Sequence, residues 1–284
     1  MRWPDDLDGW PMAEHSQKIL SRPHRWHIQE AGTGDTLLLL HGAGGATQSW
    51  RGLFPILTES YHTIAIDLPG QGFTENGARA RCSLPHMAED ILALMEQQKW
   101  QPRAIIGHSA GAAIALQIAR THPIHVVGIN AALSNFRGVA GWIFPIMAKA
   151  LALNPLSARI FTKSATPASV RRLIAGTGSE LDEVGEAFYT RLTQDTAHVD
   201  GTLSMMAQWS LDGLVEALPN IASPVDLIVA QGDKAVPPSS SENAITVLQD
   251  ARLHRVKKLG HLVHEEDPDQ VADLIKRCLQ AADR

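Results

Sequence analysis

Short, uninterrupted runs of apolar residues recur along the chain and predict strands that are buried on both faces of a parallel sheet. The first long run consists of four leucines at 37–40 and ends at the dipeptide His41-Gly42. A shorter strand is predicted ahead of it, at 26–29. Later runs predict further strands, at 62–67, 104–106, 126–129, 225–229 and 253–256.

Helical patterns lie between these predicted strands. Ser83 is a candidate N-cap, and Pro85 suits the first turn of a helix that has an apolar stripe and continues to about Gln98. Segments 109–120 and 268–279 also predict helices. Strands that alternate with helices indicate an α/β fold with a mostly parallel sheet flanked by helices.

The alternation of strands and helices stops between residues 134 and 219. This stretch has a helical composition interrupted by turns at 154–155, 166–167 and 176–178. It predicts a helical cap inserted between two strands of the sheet. We therefore expect a core formed by residues 1–133 and 220–284, and a cap formed by residues 134–219.

Length and composition exclude several classes of protein. A chain of 284 residues suffices for one large domain that buries about 75% of its unfolded surface. With 25 basic and 30 acidic residues, the net charge of −5 argues against nucleic-acid binding. Two cysteines are too few for a disulfide framework. The chain start lacks the apolar core of a signal peptide, and the most apolar window, 138–153, is too short to span a bilayer, so we expect a cytoplasmic protein.

Charge is distributed unevenly along the chain. No acidic residue occurs between Glu96 and Glu180. Nine basic residues lie in that interval: Lys99, Arg103, Arg120, Arg137, Lys149, Arg159, Lys163, Arg171 and Arg172. Since the interval includes the first half of the expected cap, it predicts a site that favours a large, apolar, anionic ligand.

The segment 107–111 has the pattern G-x-S-x-G and lies between a predicted strand and a predicted helix. In this context the serine occupies a tight turn that projects its hydroxyl above the sheet. The flanking glycines relieve the crowding that such a turn creates. Ser109 is therefore the candidate nucleophile.

A nucleophilic serine needs a base, and the base needs a carboxylate that orients it. Asp233 and His261 follow the last two predicted strands, so the chain order is serine, acid and then histidine, an order known for serine nucleophiles on α/β sheets. The carboxyl ends of strands are where open α/β sheets place their sites. Asp226 is a rival acid, but it lies inside a strand; His264 is a rival base, but it lacks the preceding glycine.

The glycine-rich segment 41–45 follows the leucine strand and offers backbone amides for an oxyanion hole, formed by Ala43 together with Ala110. Its rival is a dinucleotide-binding loop with Asp67 ending the next strand. That alternative has Thr47 where a third glycine is expected, and it leaves Ser109 unexplained.

A metal site is the alternative use of the two histidines near the end of the chain. His261 and His264 are spaced H-x-x-H, but the same spacing occurs at 24–27 and at 122–125. No second ligand cluster supports a metal site in the sequence, so we expect neither a metal nor another cofactor.

Five segments together resemble the α/β-hydrolase superfamily over nearly the whole chain. They lie at 39–42, 67–72, 107–111, 232–233 and 260–261. The resemblance implies an eight-stranded core, a cap after the sixth strand and additional strands before Leu37. A serine in the tight turn at 107–111, here called the elbow, disfavours relatives that use aspartate at this position. Esterase, thioesterase, lactonase and carbon–carbon hydrolase activities all remain open.

Four segments show a closer resemblance, to the accessory proteins of magnesium chelation in bacteriochlorophyll biosynthesis. They lie at 41–50, 107–113, 128–133 and 171–179, the last within the cap, where hydrolases vary most. The resemblance implies a role around magnesium insertion into protoporphyrin IX. It implies a small-molecule substrate or a porphyrin intermediate, and the magnesium-chelatase subunits, as partners.

The cap supplies candidate ligand-binding residues in which large apolar groups are set among basic ones. They are Phe136, Arg137, Trp142, Phe144, Met147 and Lys149. Such a surface suits a macrocycle with carboxylates, or peripheral contact with an anionic membrane. The alternative is an ordinary cap with its apolar face packed on the core. Two functions are therefore predicted: a serine hydrolase acting on an acyl substrate, or a non-catalytic porphyrin-binding module.

Overall fold

The structure is a computed structural model and describes residues 1–134 and 156–282. Its centre is an eight-stranded sheet in the order β1-β2-β4-β3-β5-β6-β7-β8. The strands are β1 (Ser16–Ser21), β2 (His24–Ala31), β3 (Thr36–Leu40), β4 (His62–Ile66), β5 (Ala104–His108), β6 (His125–Ile129), β7 (Val225–Ala230) and β8 (Ala251–Val256). From β4 to β8 all neighbours pair in parallel, whereas β2 is antiparallel to both β1 and β4. The predicted mostly parallel sheet is confirmed.

The leucine run explains why the central strands are continuously apolar. Leu37 and Leu39 pack in one buried cluster, and Leu38 and Leu40 pack in another, because successive side chains point to opposite faces of the sheet. All four are fully buried. Burial of each leucine contributes about 1.5–3 kcal/mol, so this strand stabilises the layers on both sides of the sheet.

Helices connect and cover the strands. The first are α1 (Leu53–Thr58), α2 (Leu84–Gln98) and α3 (Ala110–Ala119). Those between β6 and β7 are α4 (Ser157–Ser164), α5 (Pro167–Gly176), α6 (Glu183–Thr193), α7 (Thr196–Gln208) and α8 (Asp212–Ala217). The last are α9 (Ser239–Ile245), α10 (Val263–Glu266) and α11 (Pro268–Ala281). Short 3-10 helices lie at Asp5–Leu7, Ala13–His15, Thr47–Trp50, Arg79–Arg81 and Leu218–Asn220.

Three successive cap helices begin at side chains that satisfy free backbone amides. Thr166 and Ser169 form a reciprocal capping box at the start of α5. Asp182 accepts a hydrogen bond from the amide of Gly185, and Asp195 accepts one from the amide of His198. Each cap stabilises its helix by about 1 kcal/mol. These helices follow β6 and precede β7, within the segment 134–219 that the sequence predicts as a cap, and that division stays a prediction.

The described ranges contain no helix that is both long enough and apolar enough to cross a membrane.

Candidate active site

Ser109 lies in the turn between β5 and α3, with φ 51° and ψ −113°. A non-glycine residue in this region of backbone space is strained, and such strain is typical of the turn that presents a nucleophile. The turn is held because the Ser109 amide donates to the carbonyl of Ile129 at 2.9 Å. A Cβ on Gly111 would lie 2.1 Å from the carbonyl oxygen of Leu40, so only glycine fits there.

Asp233 and His261 are brought into direct contact from the loops that follow β7 and β8. His261 Nδ1 lies 2.7 Å from Asp233 Oδ2. Because an ionised carboxylate only accepts hydrogen bonds, Nδ1 carries the proton and Nε2 is left as the basic nitrogen. The second oxygen, Oδ1, accepts the amides of Ala235 and Val236, each at 2.8 Å. The carboxylate is therefore fixed in position as well as paired.

His108, the residue before Ser109, links the turn of the candidate nucleophile to His261. The ring of His108, next to Ser109, is 4.7 Å from the His261 ring, and His108 Nε2 lies 2.9 Å from the His261 carbonyl oxygen. Within the described residues no hydrogen bond joins the Ser109 hydroxyl to His261. Catalytic hydrogen bonds are often long in ligand-free enzymes and tighten when substrate binds.

The glycine-rich loop 41–45 borders the elbow. A Cβ on Gly42 would lie 3.1 Å from Ser109 Cβ. His41 is buried, donates through Nδ1 to the Gly42 carbonyl and accepts the Leu68 amide at Nε2. Burial lowers the pKa of His41, which keeps this ring neutral and able to accept. The loop is therefore held rigidly beside the candidate nucleophile.

Two further side chains fix the peptide at Gly44. The Gly44 amide donates to Gln71 Oε1 at 2.7 Å, and the Gly44 carbonyl accepts from His198 Nε2 at 3.2 Å. His198 Nδ1 accepts the Gly72 amide, and burial lowers the pKa of His198 to about 4. Across the described ranges, the amides of Ala43 and Ala110 have no hydrogen-bond acceptor. Their role as oxyanion donors stays a prediction.

The rival acid, Asp226, has other partners. It is fully buried near the amino end of β7, where His125 Nε2 and His254 Nε2 contact its two oxygens at 2.8 and 2.7 Å. Although burial raises the pKa of Asp226, the hydrogen bonds from these histidines, together with the positive charge of Arg252, hold that pKa well below its usual value. Arg252 forms an ion pair with the same carboxylate at 3.1 Å.

The same cluster contains potential metal ligands. Atoms of Asp226, His254 and Cys278 lie within 4.8 Å of one another. The Arg252 guanidinium already supplies positive charge to this carboxylate, and burial raises the pKa of the Cys278 thiol to about 12. The Asp226 carboxylate is therefore held by hydrogen bonds and an ion pair from within the chain.

The rival base, His264, is fully buried between Trp50 and His108, with ring centroids 4.8 and 4.4 Å away. In the part of the chain that the structure describes, neither of its nitrogens has a hydrogen-bond partner. Burial and the neighbouring His261 lower the pKa of His264 to about 3. With no carboxylate to orient it, His264 does not resemble a general base.

Sequence reasoning missed several supporting residues. Asn130, which directly follows β6, donates to the carbonyls of Gly260 and His261 at 3.1 and 2.9 Å. His108 contacts the same His261 carbonyl, while Gln71 and His198 hold the loop at Gly44. The position of Asn130 at the carboxyl end of a strand was the available signal.

The predicted ligand-binding residues of the cap lie outside the described residues. These are Phe136, Arg137, Trp142, Phe144, Met147 and Lys149. Part of the positive charge of the acid-free interval is compensated from elsewhere in the chain. Arg171 pairs with Glu186 at 2.7 Å, and Arg103 pairs with Asp35 at 2.6 Å.

The chain belongs to the α/β-hydrolase fold family, whose family model matches residues 35–268. A particular protein that this chain resembles is the magnesium-chelatase 30 kDa subunit of Rhodobacter capsulatus. The two are 45% identical over 270 residues, which cover 94% of this chain and 95% of that protein.

More distant relatives share the fold. The 2-hydroxymuconate semialdehyde hydrolase of Pseudomonas sp. (strain CF600) is 27% identical over 95% of both chains. An α/β-hydrolase fold protein from Burkholderia ambifaria superposes with a TM-score of 0.76 at 20% identity, covering 91% of this chain and 96% of that one. At this level of identity the likeness shows the fold alone.

Proposed function

We propose that the chain is a serine hydrolase that serves as an accessory factor of magnesium chelation in bacteriochlorophyll biosynthesis. The observation that carries the chemistry is the 2.7 Å contact between His261 and Asp233 at the sheet edge that also presents Ser109. The role is supported by 45% identity to a protein named as a magnesium-chelatase subunit.

The mechanism follows from the arrangement of donors and acceptors. Ser109 Oγ attacks an acyl carbonyl while His261 Nε2 takes the hydroxyl proton and then passes it to the leaving group. Asp233 holds the ring and stabilises the imidazolium. The amides of Ala43 and Ala110 donate to the oxyanion. Water then attacks the acyl group while His261 takes its proton, and that proton returns to Ser109 Oγ as the acid is released.

The proposed substrate is an ester, thioester or related acyl compound on a large, apolar, anionic ligand, with no cofactor. The acid-free interval of the sequence supports an anionic ligand. Its proposed contacts are Phe136, Arg137, Trp142, Phe144, Met147 and Lys149. We place the protein in the cytoplasm, in contact with magnesium-chelatase subunits and, through the cap, with the membrane surface.

A second candidate is a non-catalytic module that binds a porphyrin. The specific observation in its favour is the outer face of α4. Ile160 and Phe161 are 64% and 43% exposed there, next to the exposed Arg159 and Lys163. A flat apolar ring with carboxylates would satisfy both kinds of side chain.

Complementation distinguishes the two candidates. In a bacteriochlorophyll-producing strain deleted for this gene, we expect Ser109→Ala to accumulate normally but to fail to restore the pigment. Ser60→Ala, at an exposed position far along the chain from the elbow, is the matched control and should restore it. Full pigment synthesis with Ser109→Ala would overturn the hydrolase proposal and favour the binding module.

A further inference from the structure

Residues 177–180, here called the cap strap, leave the end of α5 and run between the two loops that carry Asp233 and His261. The carbonyl of Thr177 accepts the Lys234 amide at 3.0 Å and the His261 amide at 3.4 Å. A single oxygen atom of the cap therefore binds the residue after the candidate acid and the candidate base itself.

The cap strap also holds both neighbours of His261. The hydroxyl of Ser179 accepts the Leu262 amide at 2.8 Å, and Ser179 is only 1% exposed. Glu266 bridges the other side, accepting the Glu180 amide at 3.1 Å and the Gly260 amide at 2.8 Å. The three consecutive amides 260–262 are thus each bonded to the strap or bridged to it.

Backbone packing at this junction leaves no space for side chains. Gly178 has φ +86°, and a Cβ there would lie 2.1 Å from the Gly232 carbonyl oxygen. A Cβ on Gly260 would lie 2.2 Å from the carbonyl carbon of Gly178. The cap backbone is therefore in direct contact with the acid loop on one side and the base loop on the other. This arrangement explains the glycine at 178, and the bond to Leu262 explains the buried serine at 179.

We propose that the cap strap is a positioning element that sets the distance between Asp233 and His261. The two residues lie on separate loops, and their hydrogen bond depends on the relative placement of those loops. Misplacement by about 1 Å costs a catalytic group on the order of 10²-fold in rate. Because the strap bonds to both loops, it acts on the pair rather than on either residue. This inference rests on the proposed hydrolase function and makes the cap part of the catalytic apparatus.

The test replaces Ser179, whose hydroxyl accepts the Leu262 amide and which is therefore proposed as a positioning residue. Ser179→Ala removes the acceptor for Leu262. Ser169→Ala is the matched control, since it removes a serine hydroxyl at the other end of the same cap helix and weakens only the capping box. Ser179→Thr restores a hydroxyl and should recover most of the loss.

Two readouts separate positioning from stability. The first is the rate constant for labelling by an alkyl fluorophosphonate, together with the final labelled fraction. We expect Ser179→Ala to be labelled about 10- to 100-fold more slowly, to the same final fraction, with Ser169→Ala unchanged. The second is hydrogen exchange, which should accelerate in peptides covering 232–236 and 259–263 in Ser179→Ala only.

Each outcome decides the proposal. Labelling of Ser179→Ala at the wild-type rate, or slowing equal to that of Ser169→Ala, would overturn the positioning role. If wild-type protein is not labelled, the hydrolase function fails. Hydrogen exchange then tests the strap independently, and unchanged exchange in both loops of Ser179→Ala would overturn its positioning role. If Ser179→Ala lacks a cooperative melting transition, Glu266→Gln, which weakens the bridge to Gly260, is measured in the same two ways.

Discussion

Glu265 carries a buried carboxyl group at the contact between α10 and the cap helix α6. The Tyr189 hydroxyl donates to Glu265 Oε1 at 2.7 Å, and within the described residues Oε2 has no partner. Burial raises the pKa of Glu265 to about 8, despite the opposing hydrogen bond from Tyr189. The folded protein therefore keeps this side chain protonated at neutral pH, and its charge state links stability to pH.

The sign and size of that link follow from the two pKa values. The unfolded chain loses this proton near 4.5, whereas the folded chain keeps it up to about 8. The contribution to stability is fully present below 4.5 and is lost as pH rises towards 8. At pH 7, about 2.5 pH units above the unfolded pKa of 4.5, the loss of this contribution lowers the free energy of unfolding by about 3 kcal/mol.

Glu265→Gln removes the titration but keeps an acceptor for Tyr189. We expect the variant to be more stable than wild type at neutral pH by about 3 kcal/mol. Between about pH 5 and 8, its advantage should grow by about 1.4 kcal/mol per pH unit. Urea unfolding at several pH values in this range measures the difference directly.

The control is Glu59→Gln, which removes a carboxylate from an exposed position. Its difference from wild type should stay small across the same pH range. An advantage of Glu265→Gln that stays constant with pH, or shrinks as pH rises, would refute the argument that burial keeps this carboxyl group protonated.

Three further predictions concern the site and the sheet beneath it. Asp233→Asn should lower kcat on a p-nitrophenyl ester by about 10⁴-fold with little change in KM, and wild-type turnover would contradict the proposed acid. Gly111→Ala should destabilise the fold by about 1–3 kcal/mol, because the new Cβ would lie 2.1 Å from the Leu40 carbonyl oxygen. The control is Gly213→Ala, whose Cβ would have no atom within 4 Å and which should leave the melting temperature nearly unchanged or raised. The pKa of His264 is 6.5 in the unfolded chain and about 3 in the folded one, so the free energy of unfolding should fall as pH drops below 6.5. At pH 5 the expected loss is about 2 kcal/mol. A His264→Leu variant with the same acid dependence as wild type would contradict this.

The central strands could be predicted from sequence because burial on both faces leaves a continuous apolar signal. Leu37–Leu40 form such a run, and the structure confirms β3 at Thr36–Leu40. The edge strand β1 has no such signal: its sequence is SQKILS, and only Ser21 is buried. It forms through pairing with β2, which is a tertiary effect. Before Leu37 the residue pattern predicts only the strand at 26–29, which lies within β2. The additional early strands are expected only from the resemblance to a known family.

The candidate catalytic residues could be proposed from their positions after strands, whereas the residues that hold them could not. Asn130 and His198 bond to backbone atoms that are distant in sequence, at His261 and Gly44. Such pairings depend on how loops from different strands meet. The segment 171–179 carries part of the family resemblance, but the contacts of its last residues with the loops of Asp233 and His261 depend on the three-dimensional fold.

The uneven charge of the sequence also needs the structure for its interpretation. The acid-free interval suggested a strongly positive region around the elbow and cap. Arg171 and Arg103 are paired with acidic residues outside that interval, Glu186 and Asp35. Arg159 and Lys163 on α4 are exposed, so positive charge remains on one face of the cap.

The most direct test of the central claim is to locate a covalent adduct by mass spectrometry. Wild-type protein is incubated with an alkyl fluorophosphonate, digested and mapped, alongside Ser109→Ala and Asp233→Asn. We predict one phosphonyl group on Ser109 in wild type, none in Ser109→Ala and strongly slowed labelling in Asp233→Asn. An unlabelled but folded wild-type protein, or an adduct on another residue that persists in Ser109→Ala, would contradict a serine hydrolase built on Ser109.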